Sequence, residues 1–156
     1  MTTADDRFAA LAPNLSASPG PDAAVRALRR DGSVIFMSGQ VAFVGSELLA
    51  TGTLGADVDV ETGLACARQC GINLLGRLQE ELGSLEQVDQ VLKLTVFVGS
   101  APGFREQHVV ANGATDVFVE VLGDAGRHAR SAVGMAELPL GTPVEVEAIV
   151  LAKPAA

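Results

Sequence analysis

The chain has 156 residues, 48% of them apolar and 19% charged, which is one ordinary domain with enough apolar side chain to bury a core. A formal charge of −8, with no basic cluster beyond Arg29-Arg30, argues against nucleic acid and against an anionic membrane as partners. There is no Trp or Tyr and there are only six Phe, so platforms for stacking bases are scarce, and no apolar run reaches the roughly 18–20 residues of a membrane span.

Residues 1–21, rich in Ala, Pro and Ser, read as a flexible N-terminal lead-in. The early acids Asp5 and Asp6 and the broken apolar pattern do not fit a signal peptide, which makes the cytoplasm the default location. Residues 22–156 read as a single α+β domain. Ala24 to Arg29 is a strand candidate, Asp31-Gly32 a turn, and Ser33 to Met37 a strand that stops at Ser38-Gly39-Gln40. Gly39 at a strand end marks a tight bend or a close approach to the backbone. Val41 to Val58 reads as short strands and turns.

Val60, Leu64, Ala67, Gly71, Leu74, Leu75, Leu78 and Leu82 then recur at three- and four-residue steps. This predicts an amphipathic helix of about six turns, with acids at its start and Gly83 at its end. Cys66 and Cys70 share one side of that helix and read as reduced, packed thiols. His108 and His128 are too isolated to complete a zinc site with them, so no metal and no other cofactor is called for.

Leu92, Leu94, Val96 and Val98 alternate with Val91, Lys93, Thr95 and Phe97, which predicts a long strand buried on one face and mixed on the other. Ser100-Ala101-Pro102 has the composition of a helix start, and Val110, Ala114, Val117, Phe118 and Val121 mark the apolar side of the helix, with Gly123 near its end. Arg130 to Glu137 and Val144 to Leu151 read as strands joined by the turn-like stretch Leu138 to Pro143. Two helices against one face of a mainly antiparallel or mixed sheet is the simplest packing. On the last strand Val144, Val146, Ala148 and Val150 lie on one side, and Glu145, Glu147, Ile149 and Leu151 on the other. Helices cover one of these faces. An oligomer interface with a wet pocket would accommodate two carboxylates beside Ile149 and Leu151 on the second.

The serine-hydrolase and P-loop templates fail, since neither G-x-S-x-G nor G-K-[ST] occurs. What remains is Gly126-Arg127-His128-Ala129-Arg130-Ser131-Ala132-Val133-Gly134, leading into a strand, and Pro143-Val144-Glu145-Val146-Glu147-Ala148-Ile149. Taken alone, Arg130 is a charge at a strand entrance and the two Glu are one exposed strand face. His128 invites a general-base role, but a loop position at the mouth of a cleft is the expectation.

The strand ending Ser38-Gly39-Gln40, the strand Lys93 to Val98, Asn112, the step Ala129-Arg130-Ser131 and Val144-Glu145-Val146-Glu147-Ala148 together resemble the pattern of the Rid family, also called YjgF-like or endoribonuclease L-PSP-like. The resemblance runs in order from about residue 24 to residue 152, with one modest insertion between Phe104 and Asn112, and is closest to a divergent branch. It implies a chorismate-mutase-like α+β fold, a homotrimer with clefts between subunits, and hydrolysis of reactive 2-imino or enamine acids to 2-keto acids and ammonia. It also implies that Arg130 holds the substrate carboxylate, for which a planar guanidinium fork is suited. Glu145 falls where the family carboxylate positions water and moves protons. Ser38, Gly39 and Ala132 would line the cleft, with Phe104 and Asn112 as further substrate-binding candidates. The family's Tyr, thirteen residues before the Ser of Ser-Gly-Gln, is Val25 here, and its Cys two residues after the Arg is Ala132. Loss of the Tyr is expected to alter substrate fit or weaken catalysis.

If the last two strands formed a tight hairpin, Arg130 and Glu145 would lie roughly 16 Å apart. A shared site therefore requires an offset register, strands that are not neighbours, or contributions from adjacent subunits. Three functions follow for test: an imine/enamine deaminase acting on small 2-imino acids, a trimeric module that binds a small carboxylate without turning it over, and a ribonuclease. The acidic balance opposes the third.

Overall fold

The computed structural model describes residues 1–154. In chain order it contains α1 (Ala4–Ala10), β1 (Leu28–Asp31), β2 (Val34–Val41), β3 (Phe43–Val44), β4 (Glu47–Leu48), α2 (Val60–Leu82), β5 (Val88–Gly99), α3 (Gln107–Leu122), β6 (Ala129–Met135) and β7 (Val144–Ala152). Five strands form one mixed sheet in the order β1-β2-β7-β5-β6, and β3 pairs with β4 as a separate ribbon. β5 and β6 run parallel, with α3 as their crossover, while the other pairs in the main sheet are antiparallel. The expected α+β class and the packing of two long helices against the sheet both hold.

Helix α2 is bounded by local chemistry. The Asp59 carboxylate accepts from the Thr62 N–H at 2.8 Å, and Gly83 ends the helix in the left-handed region at φ +76°. An L side chain is disfavoured there, so Gly83→Ala is expected to lower stability by about 1–2 kcal/mol, measurable as a shift in the urea midpoint at constant slope. The predicted stripe is buried at Ala67, Gly71, Leu74, Leu75 and Leu78. Cys66 and Cys70 are buried free thiols. Burial pushes the Cys66 thiol up to about 11, and burial, followed by the neighbouring Cys66, carries Cys70 well above its ordinary value. Both are therefore protonated, packing groups.

On β7 the even residues Val144, Val146, Ala148 and Val150 are buried under the helices, and Glu145, Glu147, Ile149 and Leu151 occupy the opposite, open face. Three expectations need correction. Residues 1–21 are not simply a lead-in. Thr3 and Asp6 form a reciprocal capping box for α1, Phe8 is buried, and Arg7 donates through Nε to the Val121 carbonyl at 2.7 Å. The following stretch is strapped onto α2. Asn73, fully buried, accepts from the Ser16 N–H at 3.1 Å and donates to the carbonyls of Val41 and Phe43, while buried Arg77 donates to the Ser16 carbonyl and the Ser18 hydroxyl. Two polar residues on the inner side of an amphipathic helix need partners, and the N-terminal segment supplies them.

The second correction concerns β5. A register shift between Val91 and Lys93 breaks the simple alternation, so Val91, Leu94, Val96 and Val98 face the core while Leu92 is exposed. Third, α3 begins at Gln107 rather than at Ser100. The Ser100 hydroxyl donates to the Val98 carbonyl at 2.7 Å instead of capping a helix, and Gly103 at φ +89° interrupts helical backbone.

Candidate functional site

Arg130 stands beside Leu94 of β5, a fully buried residue on the helix-covered face, and its side chain turns toward α3. Nη1 donates to Asn112 Oδ1 at 2.9 Å and to Thr115 Oγ1 at 3.0 Å, and Nη2 donates to the His108 carbonyl at 3.1 Å. A guanidinium carries five N–H groups. Three are engaged, which leaves Nε–H and one Nη2–H without a partner among the described residues. A half-buried guanidinium fixed on one side and free on the other is suited to a planar anion such as a carboxylate. Ala132 lies two residues further along the same edge strand, in register with Val96. Arg130, Asn112 and Ala132 therefore belong to one cluster, between the β6 edge and the first turns of α3.

Phe104 precedes that helix. Its ring packs over Gly55 and against the core, and its carbonyl accepts from Gln107 Nε2 at 3.0 Å. Thr115 and the His108 carbonyl are members of this cluster that the motif comparison does not reveal. The available signal is spacing, since Thr115 follows Asn112 by three residues and shares its helix face. His128 lies in the loop before β6, as expected, but its ring turns inward against α3 and not out to a cleft mouth. It is half-buried, packs edge-on against Phe118 with ring centroids 6.3 Å apart, and bonds through Nδ1 to the Gly126 carbonyl at 2.7 Å and through Nε2 to Thr115 Oγ1 at 3.1 Å. Burial lowers its pKa from the usual 6.5, and Arg130 lowers it further against the opposing effect of the Gly126 bond. His128 is therefore neutral near pH 7.

Glu145 lies elsewhere. It pairs in register with Phe97 of β5 and Val41 of β2, on the open face. β2 continues through Ser38-Gly39-Gln40, with a register shift between Met37 and Gln40 that puts Gly39 directly against Glu145. A Cβ at Gly39 would overlap the Glu145 carboxylate, which explains the glycine better than a strand end does. The Ser38 hydroxyl donates to the Arg26 carbonyl at 2.6 Å and ties β2 to the segment before β1. Val25 is exposed and lines a shallow groove with Phe36, Met37 and Ser38. Burial raises the Glu145 pKa above its ordinary 4.5, and the neighbouring Glu147 adds to the effect. Ser38, Gly39 and Glu145 thus form a second cluster.

The strands carrying Arg130 and Glu145 are not neighbours, because β5 runs between them. Leu94 and Phe97, their register partners, are three residues apart, so the two backbones are offset by about 10 Å along the strands and about 10 Å across them. Their side chains also leave opposite faces of the sheet. Within one chain, Arg130 and Glu145 do not meet over one small molecule.

The family profile described as "YjgF/chorismate mutase-like, putative endoribonuclease" matches residues 13–149. Protein TCP17 of Trypanosoma cruzi is 47% identical over 120 residues, covering 76% of this chain and 75% of that protein. Among solved structures, Atu1372 of Agrobacterium tumefaciens superposes with a TM-score of 0.89 at 38% identity, covering 96% of this chain and 92% of the other. RidA of the Antarctic bacterium Psychrobacter sp. PAMC 21119 superposes with a TM-score of 0.57 at 26% identity, covering 86% and 93%. With the profile spanning most of the domain and the mixed sheet in place, the chain belongs to the YjgF/Rid family and has its chorismate-mutase-like fold.

Proposed function

We propose that the protein is a Rid-type hydrolase that converts small 2-imino or enamine acids to 2-keto acids and ammonia, with no cofactor, in clefts between the subunits of a homotrimer. The observation that carries this is the guanidinium of Arg130, held on three acceptors and open on its remaining N–H groups. Those groups would hold the substrate carboxylate. Glu145, with its raised pKa, would take a proton from water as the water oxygen bonds to the imine carbon, and deliver it to nitrogen. The Glu145 carboxylate would then carry the hydroxyl proton of the carbinolamine to its nitrogen, so that the C–N bond breaks, ammonia leaves and the oxygen becomes the keto oxygen. Because Arg130 and Glu145 of one chain are too far apart, each cleft would take its clamp from one subunit and its carboxylate from another.

The homotrimer is supported by the open sheet face and its edge, where Phe36 is 50%, Val133 40%, Leu92 39% and Met135 36% exposed. Apolar area of this kind is usually covered in an assembly. A cytoplasmic location suits the two free thiols, Cys66 and Cys70, and no helix among the described residues is long and apolar enough to cross a membrane. A second reading, a trimeric module that binds a small carboxylate without turnover, is favoured by one observation: Val25 brings no hydroxyl to the groove beside Ser38.

Freshly generated 2-iminopropanoate separates the two. The wild-type protein is expected to accelerate ammonia release, and Arg130→Ala to lose about 10- to 100-fold in kcat/KM, the range for charge-assisted hydrogen bonds. No acceleration by the wild type on several imino acids would sink the deaminase. Arg130-dependent thermal stabilisation by keto acids without turnover would establish the binding module.

A further inference from the structure

We propose that His128 and Thr115 are positioning residues for the carboxylate clamp, forming a directional hydrogen-bond chain that holds Arg130 in its binding rotamer and loosens when His128 is protonated. The proposal rests on the assignment of Arg130 as the group that holds a substrate carboxylate, and it adds regulation of that site by proton concentration.

The two ends of the chain fix its direction. The Gly126 carbonyl can only accept, so the His128 nitrogen 2.7 Å away, Nδ1, carries the hydrogen. The Arg130 guanidinium can only donate, so the Thr115 oxygen 3.0 Å away accepts from it. The 3.1 Å contact between Thr115 Oγ1 and His128 Nε2 is then satisfied when the hydroxyl donates to the bare ring nitrogen. Three hydrogens serve three bonds, one from each residue, and only neutral His128 allows this. Protonation adds a fourth hydrogen at Nε2. The threonine hydroxyl must then turn away, and its oxygen faces two cationic donors at once.

The surroundings reinforce the neutral state. From α3, His128 faces Thr115 and the Phe118 ring. From the turn before β6 it meets the Gly126 carbonyl, beyond which Arg127 and Asp124 pair with each other at the exposed surface at 3.1 Å. From β5, neutral Gln90 donates to the Arg127 carbonyl. Arg130 is the charged group that acts on the ring, and it depresses the imidazole pKa in the same direction as burial does. Neutral His128 and a well-held Arg130 therefore support one another, while imidazolium beside guanidinium opposes both.

Pyruvate binding to the full chain, measured by calorimetry, tests the idea. Thr115→Val keeps the side-chain shape but removes the hydroxyl, and it is expected to weaken pyruvate about 3- to 10-fold. Thr115→Ser should bind within about 2-fold of wild type. Wild-type affinity should fall as the pH drops from 7.5 to 5.0. In His128→Phe, which keeps the packing against Phe118, it should start weaker and lose the His128 component of that fall. Wild-type affinity for Thr115→Val, with Arg130→Ala still deficient, would overturn the positioning chain and leave the clamp standing. Undiminished pyruvate binding by Arg130→Ala would remove the clamp, and this proposal with it. Should Thr115→Val fail to fold, nitrogen chemical shifts of His128 in the wild type decide. Nδ1–H with an unprotonated, hydrogen-bonded Nε2 at pH 7.5 is expected, and the opposite tautomer overturns the chain.

Discussion

Replacing Glu145 by Gln is expected to lower ammonia release from 2-iminopropanoate by about 10²- to 10⁴-fold, the usual cost of removing a positioned general acid–base group, while pyruvate still binds. The contrast arises because Glu145 has no place in the cluster that holds Arg130 on Asn112, Thr115 and the His108 carbonyl. Co-expression sharpens the test. If each cleft takes its guanidinium from one subunit and its carboxylate from the next, randomly mixed Arg130→Ala and Glu145→Gln chains should rebuild about a quarter of the clefts. Mixtures as inactive as either parent would argue against a shared cleft. The same substitution has a signature in stability. The folded-state pKa of Glu145 is raised, first by burial and then by Glu147, so its contribution to stability is fully present below the ordinary value of 4.5 and is lost as pH rises through the folded value. Gln does not titrate, so the stability-versus-pH curve of Glu145→Gln should be flatter across that window.

A second large effect is expected at Gly113, where the change is to the smallest possible side chain. Helix propensity alone predicts that Gly113→Ala in the middle of α3 would stabilise the protein by about 1 kcal/mol. The crossing of α2 and α3 reverses the sign. A Cβ at Gly113 would overlap the Leu64 carbonyl oxygen, and a backbone atom of a 23-residue helix cannot swing aside as a side chain can. Nearby, a Cβ on Gly71 would come within 2.6 Å of Val117 Cγ1, and one on Gly63 within 3.2 Å of Val110 Cγ2, so the helix pair has little room to shift. A net loss of about 2–3 kcal/mol should appear as a melting temperature lower by roughly 5–12 °C. Stabilisation would mean that the helices separate more easily than their packing indicates.

Much of this architecture was legible in the chain itself, for reasons that differ between elements. Helix α2 announces itself because its apolar period, its Asp59 cap and its Gly83 stop all agree. The inner face of β7 is equally plain, since an unbroken two-residue alternation survives in the folded strand. Leu92 misleads because a register shift is invisible to an alternating pattern and moves one residue out of phase. The start of α3 misleads because Ser-Ala-Pro suits a helix start by composition, while the Ser100 hydroxyl is taken by the Val98 carbonyl. α1 escapes notice because its partners lie far along the chain: Asp5 accepts from the Leu85 N–H at 2.9 Å and from Gln79 at 2.8 Å. At the site, Arg130, Asn112, Gly39 and Glu145 stand out by motif. Thr115 and His128 acquire meaning only when α3 is laid against β6. That the two motif halves leave opposite faces of the sheet depends on the strand order, and no local pattern encodes it.

The separation of Arg130 and Glu145 by an intervening strand also bears on how such a protein can change over time. A substitution that reshapes the groove beside Ser38, as Val25 does relative to the family's Tyr, leaves the side-chain acceptors of Arg130 untouched, because they belong to α3. The two halves of the chain can therefore drift separately. On the proposed function, a lineage could trade catalytic power for simple ligand retention, or regain it, one half at a time.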